Sequence, residues 1–185
     1  MSEIAERARV ALFLSDYAGN DAAGKVNALG AGWALTGVDP ATGLTAAWSV
    51  VAMVDVPPQF YNDDFALALT LRDAADRPVS VPGPAGAGQT IQMAQNVHVD
   101  EPAFPPGANV PRHRAWAHVQ VIVNFGNGLP LSPGQFYTWT LEIDGVRKEH
   151  RFIRADRFSS LDETAEFALV KGRQIIDEQG DRLFK

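Results

Sequence analysis

Hydrophobic and polar residues alternate with a period of two along much of the chain. The pattern is clearest over residues 64–72, 117–125 and 136–143, where every second side chain is apolar on one face. Such alternation places one face of a strand in a core and the other toward solvent, as in antiparallel sheets. Weaker patterns predict five further strands, at residues 9–15, 26–35, 44–56, 90–99 and 146–154.

Turn signals separate these predicted strands. Asp144-Gly145 is typical of a two-residue hairpin, because both central residues of a type I′ turn need a positive φ. Proline followed by glycine marks further turns at residues 38–44 and 131–134. About eight short strands with frequent turns predict an all-β fold. We expect a two-sheet antiparallel β-sandwich, immunoglobulin-like or jelly-roll-like.

The composition changes toward the C-terminus. Residues 145–185 carry 17 of the 38 charged side chains, and residues 160–163 (SLDE) match a capping box at the start of a helix. We therefore predict a β-sandwich domain over residues 1–156 and a charged helix or arm over residues 157–185. This arm either packs across the open end of the sandwich or docks on a neighbouring subunit.

Composition and charge exclude several classes of protein. The 185 residues carry a net charge of −6, which argues against broad binding of nucleic acid. The absence of cysteine excludes thiolate catalysis and cysteine zinc sites. No apolar run reaches the roughly 20 residues of a membrane-spanning helix, and none resembles a signal peptide. The sequence therefore predicts no nucleic-acid partner and no membrane partner.

The candidate catalytic motifs are either incomplete or have a simpler structural explanation. Residues 19–25 have the spacing of a phosphate-binding P-loop, but Val26 replaces the required Ser or Thr, so we interpret them as a turn. His98 and Asp100 share one strand face, which a metal could use, but a hydrogen-bonded histidine is the simpler interpretation. No G-x-S-x-G nucleophile elbow occurs. We predict a protein that is not an enzyme and has no catalytic residues, cofactor or metal.

Large apolar side chains on loops are better candidates for function, because they often mark a surface that binds a protein partner. Trp116 opens a strand after a basic stretch, Tyr61 follows a pair of prolines, and Phe104 lies in a long Pro-rich loop. The best candidate for an exposed aromatic side chain is Trp116, followed by Phe60-Tyr61 and then by Phe104. The predicted partner-binding residues are Tyr61, Phe104, Trp116, Leu161, Ala165, Leu169 and Ile176.

Two stretches resemble a known family. Residues 14–18 (LSDYA) and 24–33 (GKVNALGAGW) are similar to the opening of an uncharacterised family of small β-sandwich proteins of actinobacteria and their tailed phages. Residues 131–139 (LSPGQFYTW) with 143–145 (IDG) resemble its closing hairpin. The resemblance covers residues 9–154 with gaps. It implies a β-sandwich and carries over no catalytic residues.

The resemblance implies a structural role. We predict a non-enzymatic interaction module, a phage virion component such as a capsid decoration or minor structural protein, located in the virion. Its expected partners are a capsid or other virion protein and possibly a second copy of the chain, with small-molecule ligands disfavoured. Two alternatives stay open: a β-sandwich that binds carbohydrate or a cell-surface polymer, and a bacterial cytoplasmic protein of unknown partner.

Overall fold

A computed structural model describes residues 2–82 and 87–156. The predicted arm over residues 157–185 lies outside these residues. Within them the chain forms a short helix, α1 (Glu3–Arg7), and two 3₁₀ turns, Pro58–Phe60 and Arg112–Arg114. The strands are β1 (Arg9–Ser15), β2 (Tyr17–Asn20), β3 (Val26–Leu29), β4 (Leu35–Gly37), β5 (Trp48–Val56), β6 (Asp64–Asp73), β7 (Ser80–Pro82), β8 (Gly88–Thr90), β9 (Gln92–His98), β10 (Ala117–Phe125), β11 (Gln135–Ile143) and β12 (Val146–Asp156).

These strands form two main sheets. One sheet has the order β1-β5-β10, and the other has the order β4-β12-β11-β6-β9. All neighbours in them are antiparallel except β4 and β12, which are parallel. Two short ribbons, β2-β3 and β7-β8, complete the described part. The predicted all-β sandwich is therefore confirmed.

The core lies between the two sheets and follows the alternation in the sequence. On β11 the residues of the inner row, Tyr137, Trp139, Leu141 and Ile143, are all buried. The inner row of β6 is buried in the same way, from Phe65 to Leu71. The Trp48 ring on β5 lies 6.1 Å from the Trp139 ring on β11, which joins the two sheets through aromatic contact.

The strand β5 departs from simple alternation, because the first five of its nine residues are all buried. It is the central strand of its sheet, and the β2-β3 ribbon lies over its outer face. The backbone N–H of Ala18 on β2 donates to Ser49 Oγ at 3.1 Å, and the Gln120 side chain of β10 donates to the Gly24 carbonyl at 2.7 Å. Burial on both faces therefore explains the continuous apolar run.

The hairpin prediction at Asp144-Gly145 is confirmed, since φ is positive at both residues, 49° and 75°. The single strand predicted over residues 26–35 is wrong, because the chain turns between β3 and β4. Gly30 and Gly32 have φ values of 62° and 96°, which break the extended backbone. Of the P-loop-like segment over residues 19–25, the first two residues end β2 and residues 21–25 form the turn to β3, in which Asp21 Oδ1 accepts from the backbone N–H of Ala23 and Lys25.

Candidate functional site

The two 3₁₀ turns lie side by side at one end of the three-stranded sheet. Val56, the last residue of β5, is paired with Ala117, the first residue of β10. The chain segments beyond these paired ends must therefore run next to each other. Pro57 and Pro58 begin one turn after β5, and Pro111 precedes the other turn before β10. Because proline fixes φ near −65°, both turns start from a restricted backbone.

A cavity of about 710 Å³ lies where the two turns meet. Its lining residues are Pro58, Gln59, Tyr61, Arg112 and His113. The side chains of Gln59, Arg112 and His113 are exposed or partly exposed, and all three carry N–H groups. None of these described lining residues is acidic. The cavity therefore presents hydrogen-bond donors and one permanent cation, Arg112, which is paired with Glu101.

Tyr61 is the most deeply buried residue of this lining, with 7% of its surface exposed. Among the described residues its hydroxyl has no hydrogen-bond partner. Burial raises the pKa of the Tyr61 phenol above its ordinary value near 10, the Glu101 carboxylate raises it further, and the Arg112 guanidinium opposes both. A buried hydroxyl without a partner costs free energy, so a group that accepted its hydrogen bond would be stabilised there.

Arg112 connects Tyr61 with the long loop that follows β9. Its guanidinium carbon lies 5.5 Å from the centre of the Tyr61 ring, within the range of a cation–π contact. Its Nη2 group donates to Glu101 Oε2 at 3.4 Å. The Arg112 side chain is 68% exposed, so this ion pair contributes little to stability. The guanidinium is thus held near the cavity without being enclosed.

Trp116 lies two residues beyond the turn and is half-buried. The guanidinium carbon of Arg9, on β1, lies 4.5 Å from the centre of the Trp116 ring. Arg9 is paired in register with Asp55, whose carboxylate lies 2.6 Å from His118 Nδ1 on β10. Arg9 therefore adds a further cation to this end of the sheet, while Asp55 offsets part of the charge.

The predicted binding residues have different surroundings. The expectation that Tyr61 is exposed is wrong, because its ring packs into the core beneath Arg112. Trp116 is half-buried and covered by Arg9, whereas Phe104, in the loop after β9, is 46% exposed. Leu161, Ala165, Leu169 and Ile176 lie outside the described residues. Whether any of these residues binds a partner stays a prediction.

Gln59, Arg112 and His113 line the cavity but were not among the predicted binding residues. The sequence shows them only through a repeated pattern of proline followed by a polar residue, at Pro58-Gln59 and Pro111-Arg112.

His98 bonds across the sheet to Asp64, with 2.8 Å between Nδ1 and Oδ1, and its Nε2 lies 4.0 Å from Asp100. Within residues 2–82 and 87–156, no three His, Asp or Glu side chains are grouped so that they could hold a metal ion.

Comparison with known proteins gives one match to a family. The model of the family described as HlyU, transcriptional activator HlyU, matches residues 138–184, about a quarter of the chain. The matched segment begins on β11 and includes all of β12, and its remainder lies outside the described residues. No curated protein matches the chain.

This match corrects the predicted set of partners. The family is named for a transcriptional activator, and that function contradicts the exclusion of nucleic acid that we drew from the net charge of −6. Net charge averages over the whole surface, whereas the cations Arg9, Arg112 and Arg114 are concentrated at one end of the sheet. In the described part of the chain, no helix has the length and apolar character needed to span a membrane.

Proposed function

We propose that this chain is a non-enzymatic bacterial cytoplasmic protein that acts in the control of transcription and binds nucleic acid at the Arg112 turn. The observation that carries the proposal is the sequence of three exposed basic side chains, Arg112, His113 and Arg114, on a proline-fixed turn. The match of residues 138–184 to the transcriptional activator family supports the same class of function. A role as a phage virion component or in carbohydrate binding stays a prediction.

The charge of the turn determines how tightly we expect it to bind nucleic acid. Arg112 and Arg114 can each neutralise one phosphate, and Arg9 lies on β1 at the same end of the three-stranded sheet. With two or three phosphates contacted, the logarithm of the binding constant falls with the logarithm of salt with a slope of about −2. The remaining acidic surface opposes further contacts. Binding is therefore modest, local and sensitive to salt.

An exposed aromatic ring on the loop before the turn favours single strands. Phe104 is 46% exposed on the loop that leads into the turn. An unpaired base can stack on such a ring, a contact worth about 1–3 kcal/mol, whereas the bases of a duplex are already stacked. We therefore expect a single-stranded oligonucleotide to bind more tightly than a duplex of the same sequence.

Fluorescence anisotropy with a labelled strand of about 20 nucleotides tests this proposal. The test variant is Arg112→Ala with Arg114→Ala. The control is Arg77→Ala with Arg147→Ala, which makes the same change in net charge. Both control residues bond to acidic side chains at the Asp73–Asp76 turn, at the far end of β6. That ten-residue strand spans about 30 Å.

At about 50 mM salt, loss of two phosphate contacts should weaken binding by at least tenfold in the test variant, with little change in the control. Circular dichroism should show that both variants are folded, because all four arginines are exposed. Equal binding by the two variants would show that the Arg112 turn is not the nucleic-acid site. Absence of binding by the unaltered protein would overturn the proposed function.

A further inference from the structure

We propose that the cavity lined by Gln59, Tyr61, Arg112 and His113 binds a phosphate monoester, carried either by a free nucleotide or by the 5′ end of a nucleic-acid strand. This inference rests on the proposed function and deepens it, because it names the chemical group that the site recognises. A terminal phosphate offers three oxygens to the donors of this site, whereas a phosphate along the strand offers two.

The chemistry of the lining selects an oxyanion. The Gln59 amide, the Arg112 guanidinium and the His113 imidazole supply hydrogen-bond donors, and Pro58 and the Tyr61 side chain, whose hydroxyl oxygen is buried, complete the lining. A phosphate monoester has three terminal oxygens that accept such bonds. A cationic ligand would find no carboxylate among the lining residues that the structure describes.

Tyr61 provides a second, independent observation. Its side chain is more than nine-tenths buried, yet its hydroxyl has no partner within the described part of the chain. Buried hydroxyls in folded proteins are nearly always hydrogen-bonded. A ligand oxygen that accepted this bond would satisfy the group, so binding would recover a hydrogen bond that folding leaves unmade.

Arg112 is held at the cavity, where its guanidinium can bind the phosphate. The Tyr61 ring below it and the Glu101 carboxylate beside it restrict the guanidinium. Nη2 donates to Glu101 at 3.4 Å, a long bond, and the planar guanidinium has further N–H groups that can bind a phosphate in bidentate fashion. Glu101 occupies Arg112 in the free protein and would repel an entering anion.

The size of the cavity indicates more than a bare ion. About 710 Å³ lies within the range of roughly 300–1,000 Å³ that is typical of pockets for small organic ligands. A phosphate attached to a nucleoside therefore fits the volume better than inorganic phosphate alone. We expect the mononucleotide to bind more tightly than inorganic phosphate, and the nucleoside without phosphate to bind least.

Isothermal titration calorimetry with the full chain tests the inference, using inorganic phosphate, a nucleoside monophosphate and the matching nucleoside. Arg112→Ala should weaken binding of the monophosphate by about tenfold or more, because a charged hydrogen bond is lost. Glu101→Gln should strengthen it several-fold, because a like charge is removed. Arg77→Ala, at the far end of β6, is the control and should bind as the unaltered protein does.

Tyr61→Phe tests the buried hydroxyl separately, and we expect several-fold weaker binding in a variant that still folds. A monophosphate that bound equally well to the unaltered protein, Arg112→Ala and Tyr61→Phe would overturn the proposal. The same conclusion would follow if the nucleoside bound as tightly as the monophosphate, because the phosphate would then contribute nothing.

Oligonucleotides distinguish the two sources of the phosphate and separate this inference from the proposed function. Tighter binding of a 5′-phosphorylated strand than of the 5′-hydroxyl strand supports a strand end in the cavity. Binding of the monophosphate without binding of either strand supports the cavity as a nucleotide site and overturns the proposed function. Equal binding of both strands, with no binding of the monophosphate, keeps the proposed function and overturns this inference.

Discussion

Gly128 lies directly against the backbone carbonyl of Thr45. A Cβ atom at position 128 would fall 1.9 Å from this carbonyl oxygen, and the φ angle of Gly128 is +71°. Glycine alone meets both conditions without strain. Hydrogen bonds hold the same segment in place before β5. Thr45 Oγ1 accepts from the Leu129 backbone N–H at 2.9 Å and from the Trp48 indole at 3.1 Å.

Replacement of Gly128 should therefore destabilise the sandwich strongly. Gly128→Ala adds the cost of a left-handed backbone, about 1–2 kcal/mol, to a collision with a carbonyl that cannot move without breaking its neighbours' hydrogen bonds. We expect a loss of about 3 kcal/mol or more in the free energy of unfolding. Urea denaturation followed by tryptophan fluorescence measures this loss, since Trp48 is one of the residues bonded to Thr45.

Gly43→Ala is the matched control for this experiment. Gly43 has nearly the same φ angle, +70°, but a Cβ atom there would meet nothing within 4 Å. It should lose about 1–2 kcal/mol, the backbone cost alone. Equal losses in the two variants would show that the approach of Gly128 to Thr45 does not restrict position 128.

Two tyrosines with similar burial differ in their hydrogen bonding. Tyr61 is 7% exposed and Tyr137 is 6% exposed. The Tyr137 hydroxyl accepts a hydrogen bond from the Ser132 backbone N–H at 2.8 Å, whereas within the described residues the Tyr61 hydroxyl has no partner. Removal of the Tyr137 hydroxyl therefore measures the loss of a hydrogen bond, whereas removal of the Tyr61 hydroxyl measures the cost of burying a group that lacks one.

Tyr137→Phe should lower the free energy of unfolding by about 1–2 kcal/mol, because it leaves the Ser132 N–H without its acceptor. Tyr61→Phe should leave stability unchanged or raise it by about 1 kcal/mol, because it removes an unsatisfied buried group. Urea denaturation of both variants tests the contrast. A loss in Tyr61→Phe as large as that in Tyr137→Phe would mean that the Tyr61 hydroxyl has a bonding partner in the free protein, such as an ordered water.

Much of the fold was predictable because one face of most strands is buried. The alternation on β6, β10 and β11 follows directly from this, and Asp144-Gly145 is a turn that local backbone preference fixes on its own. The break after Leu29 was not predictable, because it depends on Gly30. A Cβ atom there would lie 2.0 Å from Asp16 Oδ2, a contact between residues that the fold brings together.

The site was less predictable than the fold. Tyr61 and Trp116 could be selected as large apolar side chains beside turns. The contact of Arg112 with the Tyr61 ring could not be predicted from the sequence. The pairing of Val56 with Ala117 brings positions 58–61 and 112–116 together, and this is a long-range contact. Charge was misleading for a related reason, since a net value of −6 conceals a local cluster of arginines.

His98 and Asp64 face each other across β6 and β9, with Nδ1 and Oδ1 2.8 Å apart. The hydrogen bond to the Asp64 carboxylate raises the pKa of His98 above its ordinary value of 6.5; desolvation opposes this effect, and the charges of Asp64 and Asp100 add to it. Asp64→Asn should lower the pKa of His98, which a titration of its ring protons by NMR measures directly. Asp63→Asn is the control: it removes the adjacent exposed carboxylate, and His98 should keep its raised pKa.

The same pair makes stability depend on pH in a defined direction. A histidine whose pKa is higher in the folded state than in the unfolded state stabilises the fold most when it is protonated in both states. This contribution is complete below about pH 6.5 and disappears as the pH rises through the folded pKa. The difference in urea midpoint between the unaltered protein and Asp64→Asn should therefore be larger at about pH 5.5 than at about pH 8.5. A difference that grew with rising pH would contradict this assignment, because it would require Asp64 to stabilise the neutral imidazole more than the imidazolium.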